Sequence, residues 1–138
     1  MTMIQLVYAS MPFGFDDAML GGILLDARRC NERDDITGAL IVRADLYIQL
    51  LEGPEKLVEE CYARIRRDDR HVDPRTLLRR TIKTRMFPGW AMKDDPALSW
   101  IWTRNEVREG AVEKATEDEV LGFFQRISAD NVTPLPRA

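Results

Sequence analysis

Apolar and polar positions recur with a clear period along most of this chain, and the period changes where turn residues intervene. Met3-Ile-Gln-Leu-Val-Tyr-Ala9 is rich in strand formers and predicts a short strand over Met3–Ala9. Pro12 and Gly14 break it. Leu20, Ile23, Leu24 and Ala27 then recur at helical spacing, with Asp16 or Asp17 as a cap, which predicts a helix over Asp16–Cys30. Gly21-Gly22 inside it costs about 1 kcal/mol per glycine relative to alanine, so close packing against that turn is expected. Thr37–Arg43 and Leu46–Leu51 are apolar and strand-prone, and Ala44-Asp45 between them suits a tight hairpin. Gly53-Pro54-Glu55 opens a second helix with proline in its first turn. Leu57, Val58, Cys61 and Ile65 line one face of that helix to about Arg67. Leu77–Arg85 and Gly89–Lys93 read as two further strands.

The predicted order is βαββαββ. That is the split βαβ order of ferredoxin-like α+β folds, with two helices on one face of a mostly antiparallel sheet. A C-terminal helical extension follows. Thr116-Glu-Asp-Glu119 has the pattern of a capping box, and Val120, Phe123, Phe124 and Ile127 form one apolar stripe, predicting a helix over Glu117–Ser128. Such a stripe must be buried, either on the open face of the sheet or on another chain. Asn131–Ala138 holds two prolines and reads as a loose end. The expected division is a domain over 1–93 and an extension over 94–138.

Composition narrows the class. The chain has 138 residues, 45% hydrophobic and 31% charged, with a net charge of −3. That balance suits one globular domain rather than a disordered chain. No apolar run reaches the roughly 20 residues of a membrane-spanning helix, and the first residues lack a signal-peptide pattern. Two cysteines make no disulfide framework, so a cytoplasmic protein is expected. Charge is uneven. Lys56–Lys93 carries 11 basic and 5 acidic residues, whereas Asp94–Ala138 carries 5 and 9, so the acidic tail can fold back and offset the basic middle. The negative net charge and the absence of an aromatic ribonucleoprotein signature argue against a nucleic-acid partner.

Standard catalytic chemistry is missing. With one histidine, His71, and cysteines 31 positions apart, no metal cluster forms in sequence. No nucleophile elbow, phosphate loop or dinucleotide fingerprint is present. What stands out is Gln49, a glutamine inside the apolar strand Leu46-Tyr-Ile-Gln-Leu-Leu-Glu52. Alternation puts it on one face with Tyr47 and Leu51, opposite Ile48 and Leu50. A buried amide must be satisfied, and its paired donor and acceptor suit the edge of a heterocyclic ring; a solvent-facing edge glutamine is the plainer alternative.

Six segments resemble the BLUF family, the blue-light sensors using FAD, over about Met3 to Met92. They are Leu6-Val-Tyr-Ala-Ser10, Ala27-Arg-Arg-Cys-Asn31, Asp35-Ile-Thr-Gly-Ala-Leu40, Tyr47-Ile-Gln-Leu-Leu-Glu-Gly-Pro54, Arg64-Ile-Arg-Arg-Asp-Asp-Arg-His71 and Arg85-Met-Phe-Pro-Gly-Trp-Ala-Met92. The resemblance implies a flavin held between the two helices, FAD by family, with FMN or riboflavin as alternatives. It implies that Tyr8 and Gln49 are the photoactive pair, that Asn31 bonds the polar ring edge, and that Ile23 and Ala27 contact the ring. It implies Arg64 and Asp68 beside the ring and ribityl chain, Arg70 and His71 on the phosphate side, and Trp90 and Met92 as output residues on a last strand adjacent to Gln49. His71 has a plainer reading as a cap at the end of the second helix. Cys30 departs from the family pattern, standing where an asparagine is common, and a thiol is the weaker donor. Trp100 and Trp102 lie beyond the resemblance and read as packing for the tail.

The function these residues imply is a blue-light photoreceptor with no attached enzyme, signalling through an unidentified protein partner, and a homo-oligomer, most simply a dimer, is expected because a ferredoxin-like sheet leaves one face uncovered. A light-insensitive interaction module and a small flavoenzyme are the rival readings.

Overall fold

The computed structural model describes residues 2–12, 17–43, 45–68, 71–89, 93–96 and 101–129. Strand β1 (Met3–Pro12), helix α1 (Asp17–Asp34), strands β2 (Thr37–Arg43) and β3 (Leu46–Pro54), helix α2 (Glu55–Arg66), and strands β4 (His71–Ile82) and β5 (Lys93–Pro96) follow in the expected order. They form one sheet in the order β4-β1-β3-β2-β5. β1 is antiparallel to β3 and β4, β2 is antiparallel to β3, and β5 joins β2 in parallel. Each long helix thus links two parallel strands that have an antiparallel strand between them, which is the ferredoxin-like α+β arrangement.

Strand alternation divides the core in two. Under α1 and α2, Ile23, Leu24, Val58 and Tyr62 pack on Tyr8, Leu40, Tyr47 and Leu51. On the opposite face, Ile48 and Leu50 meet Val120, Leu121, Phe124 and Ile127 of helix α4 (Glu117–Ala129). The tail stripe therefore buries itself on the chain's own sheet, and the open face that motivated a homodimer is filled. The Thr116 hydroxyl accepts the Glu119 amide at 3.2 Å, as a helix cap requires. Trp102 is buried and stands edge-on to Phe123, with ring centroids 5.1 Å apart. Trp100 lies outside the described residues.

Several expectations are corrected. β4 starts at His71, not Leu77. Pro74 lies within the added part, and β4 is an edge strand, where a missing amide donor is tolerated. His71 accordingly opens a strand, pairing in register with Pro12, and the C-cap position of α2 is Arg67. β1 continues to Pro12, and α1 runs one turn further, to Asp34, through charged residues that carry no apolar signal. Gly21 has open space around it, so it marks no close packing. Gly38 and Gly53 are under steric demand: a Cβ at Gly38 would run into the backbone carbonyl of Leu50, and one at Gly53 would lie 2.7 Å from the Asp35 carbonyl oxygen. β5 begins at Lys93 and lies beside β2, so the last strand is not adjacent to Gln49. β2 stands between them, because the hairpin keeps β2 against β3 and only its outer edge is open. Helix α3 (Arg104–Arg108) was not anticipated, although Thr103 and Glu106 carry a capping box that marks it. The tail's acids do not neutralise Arg79, which pairs instead with Glu55 and Glu59 of α2.

Candidate functional site

α1 and α2 diverge over the sheet and leave a cavity of about 260 Å³ between them. Ile23, Ala27, Asn31, Gln49, Arg64 and Asp68 line it, together with Asp26, Cys30, Cys61 and Ile65. Helical spacing explains the grouping. Ile23, Ala27 and Cys30 fall on one stripe of α1, and Cys61, Arg64, Ile65 and then Asp68 fall on the facing side of α2 and its end. Asp26 and Ile65 were not singled out as site residues, nor was Cys61, although the same stripes contain all three.

Asn31 is fixed by the way α1 ends. Asp35 has a φ of 58° and the Ile36 amide bonds back to the Asn31 carbonyl at 2.8 Å. This is a Schellman closure with Asp in the left-handed position that glycine usually takes. The Asn31 side chain is fully buried, and its Oδ1 lies 3.9 Å from the Cys61 thiol, which donates weakly. Burial pushes that thiol up to about 11, so it is protonated at neutral pH and is no nucleophile. Cys30 is half-buried and lines the cavity, as its place in the motif implies.

At the floor, β1 and β3 set Tyr8 directly across from Gln49 in register. The Tyr8 hydroxyl donates to Gln49 Oε1. Both side chains are almost fully buried. A register shift between β1 and β4 at Val7/Tyr8 accompanies the tyrosine, and irregularities of this kind re-aim side chains beside functional sites. The Tyr8 ring lies 5.1 Å from that of Tyr62, tilted by 32°. Tyr62 in turn accepts a hydrogen bond from the Thr76 hydroxyl at 3.0 Å. Burial, followed by the neighbouring Cys61, Tyr62, Asp68 and Tyr47, holds the Tyr8 phenol well above its ordinary value. It is therefore a neutral donor across the physiological range.

The mouth of the cleft is polar. Arg64 of α2 reaches Asp34 of α1 at 3.4 Å. A hydrogen bond from Arg33, supported by Arg64, keeps the Asp34 carboxyl below the usual range. His71 stands at the start of β4, and Arg70, Trp90 and Met92 lie outside the described residues. A second cavity of about 340 Å³ lies on the tail side between Leu46, Val107 and Val112. It contains none of these residues, and its Asp45 is already paired with Arg43 at 3.0 Å.

Buried amides of Asn31 and Gln49, apolar walls from Ile23, Ala27 and Ile65, and a basic group at the rim fit a planar heterocycle carrying a polar edge and a charged chain. Fold and site together define a ferredoxin-like domain with a ligand-sized cleft above a buried tyrosine–glutamine pair. The family described as "Sensors of blue-light using FAD" matches residues 3–93. The photoactivated adenylate cyclase subunit beta of Euglena gracilis is 38% identical over 74 residues, 53% of this chain and 9% of that protein. The blue light- and temperature-regulated antirepressor BluF of Escherichia coli (strain K12) is 33% identical over 107 residues, 72% of this chain and 26% of that protein. The dark-state structure of the BLUF protein BlrB superposes with a TM-score of 0.78 at 26% identity, covering 94% of this chain and 98% of that one. The chain belongs to the BLUF family of blue-light flavin sensors, and it spans only a small part of the curated relatives it matches.

Proposed function

We propose that this chain is a blue-light photoreceptor that binds FAD in the α1–α2 cleft and uses Tyr8 and Gln49 as its switch. The single observation that carries the reading is the buried Tyr8–Gln49 hydrogen bond on the floor of that cleft. Asn31 and Gln49 would hold the polar ring edge, Ile23 and Ala27 the ring face, and Arg64 and Asp68 the ring flank and ribityl chain. Arg70 and His71 are proposed for the phosphate side, and Trp90 and Met92 for output. Bound flavin supplies absorption of blue light and, once excited, a strong one-electron oxidant.

The chain's own residues supply the rest. A phenol gives up an electron most readily when its proton has an acceptor, and Gln49 Oε1 already accepts the Tyr8 hydroxyl. A proton arriving there forces the amide to rotate or change tautomer, so the bonds it offers to the cleft differ before and after light. A polar element with two arrangements inside a packed core is what a switch requires. The reading places the protein in the cytoplasm and assigns its response to a contact with another protein, not to catalysis within these residues. Filling of the sheet face by α4 removes the motive for a homodimer.

The test is to mix the purified protein with FAD, FMN and riboflavin in turn, then to record spectra in darkness and under blue light. Uptake of FAD and a small reversible red shift are expected. Failure to bind any flavin favours the interaction module. Dark electron transfer from a bound flavin to an added acceptor favours a flavoenzyme.

A further inference from the structure

Glu52 is fully buried, three residues beyond Gln49 on β3 and pointing to the opposite face of the sheet. A buried carboxylate is costly unless several donors meet it. Four do. The Phe87 amide donates to Oε1 at 2.6 Å and the Met86 amide to Oε2 at 3.0 Å. Gln5 Nε2 donates to Oε2 at 3.1 Å. The Thr37 hydroxyl lies 3.4 Å from Oε1 and itself accepts from Arg85 at 2.9 Å, which turns its hydrogen toward Glu52. Arg80 fixes Gln5 by donating to its Oε1 at 2.9 Å, and Arg85 also donates to the Asp35 carbonyl at 2.7 Å.

The carboxylate thus ties β3 to the chain segment after β4. That segment holds α4 in turn: the Ser128 hydroxyl donates to the Met86 carbonyl at 3.2 Å, and Phe87 stands edge-on to Phe124 with centroids 6.4 Å apart. An unbroken path runs from Gln49 along β3 through Glu52 to residues 86–87 and on to α4.

We infer that Glu52 is the positioning residue that couples the Gln49 strand to α4, latching residues 86–87 to β3 so that a change in β3 is felt by the tail helix. The light-dependent half of this inference rests on the proposed photoreceptor function; the latch itself does not. Glutamine at position 52 keeps the size but turns one acceptor into a donor. Either orientation then sets an NH2 group against a backbone amide. Gln5 cannot flip to compensate without losing its bond from Arg80.

The experiment is amide hydrogen exchange on the flavin-loaded full chain, in darkness and under blue light, for the wild type, Glu52→Gln and Ser128→Ala. In darkness, Glu52→Gln is expected to speed exchange at Met86 and Phe87 by about tenfold or more, the loss of charge-assisted hydrogen bonds. Under light it should keep the flavin shift, because Glu52 does not line the cleft, and lose the light-dependent change in α4 exchange. Ser128→Ala should leave residues 86–87 protected and weaken only the response of α4. Wild-type dark protection at residues 86–87 in Glu52→Gln would overturn the latch. A wild type without any flavin shift would instead overturn the photoreceptor reading, leaving the dark comparison to judge the latch. If Glu52→Gln fails to fold, Thr37→Val removes one donor of the same cluster and should give a smaller acceleration at the same two amides; no acceleration would overturn the proposal.

Discussion

The two faces of the sheet are built from the same strands and solve different problems. On the tail side, Val7, Ile41, Ile48 and Leu50 meet Val120, Phe124 and Ile127 in a contact of aliphatic and aromatic groups, with polar exceptions there in the hydrogen-bonded Glu52 cluster and the lining of the second cavity. Under α1 and α2, the same alternation brings Tyr8 and Gln49, joined by Asn31 from α1, into a core that is interrupted by a cavity of about 260 Å³. A packed apolar face stores stability; a face with buried amides beside open volume gives up stability and gains a place for a ligand and a bond that can rearrange. β1 and β3 contribute side chains to both faces, so the proposed switch and α4 are built on the same strands.

The contrast can be broken most sharply on the cleft side. Gln49→Leu is expected to abolish the light-induced shift completely while flavin still binds, since it removes the acceptor of the Tyr8 proton and leaves the apolar walls intact. Difference spectra of the flavin-loaded variant give the answer; a normal shift would remove Gln49 from the switch. On the tail side, Phe124→Ala should cost about 3–5 kcal/mol of folding stability in urea unfolding, because the ring is fully buried against Phe87. It should leave the photochemical shift in place under native conditions.

A third test uses protons. The Tyr8 phenol is held above its ordinary value of 10.0, first of all by burial. As pH rises the unfolded chain therefore loses this proton first. The contribution of Tyr8 to stability is full below about pH 10 and falls above it, until the folded protein also ionises. Urea midpoints followed from about pH 8 to about pH 11 should decline more steeply in the wild type than in Tyr8→Phe. Equal slopes would mean that Tyr8 is not held neutral by its surroundings.

The smallest expected effect is Cys30→Asn. An amide facing the ring edge donates better than a thiol, a difference of about 0.5–1.5 kcal/mol, or a several-fold tighter dissociation constant in flavin titration. Unchanged affinity would show that Cys30 lines the cavity without touching the ligand.

How far the sequence could be read differs between the faces in the same way. Periodicity reports burial, so the hairpin, both long helices and the apolar stripe of α4 were legible, down to the side of β3 on which Gln49 lies. The family resemblance picked out Ile23, Ala27, Asn31, Arg64 and Asp68, which line one cavity in the fold. Asp26 escaped because a single acid on a helix carries no pattern of its own, and Ile65 because a place in the apolar stripe of α2 reads equally well as core packing. The last turn of α1 escaped because its exposed charges show no period, and the first half of β4 because His71-Val-Asp-Pro-Arg-Thr76 shows no apolar alternation. Glu52 was visible as a motif letter only; its four donors come from β1, β2 and the segment after β4, which no local spacing brings together.

The most direct test of the proposed switch is the light-minus-dark infrared difference spectrum of the flavin-loaded protein with isotope-labelled tyrosine. The account predicts a labelled phenol band that changes with light in the wild type and is absent in Tyr8→Phe. A light-induced spectrum made only of flavin bands, with no labelled phenol contribution, would contradict it.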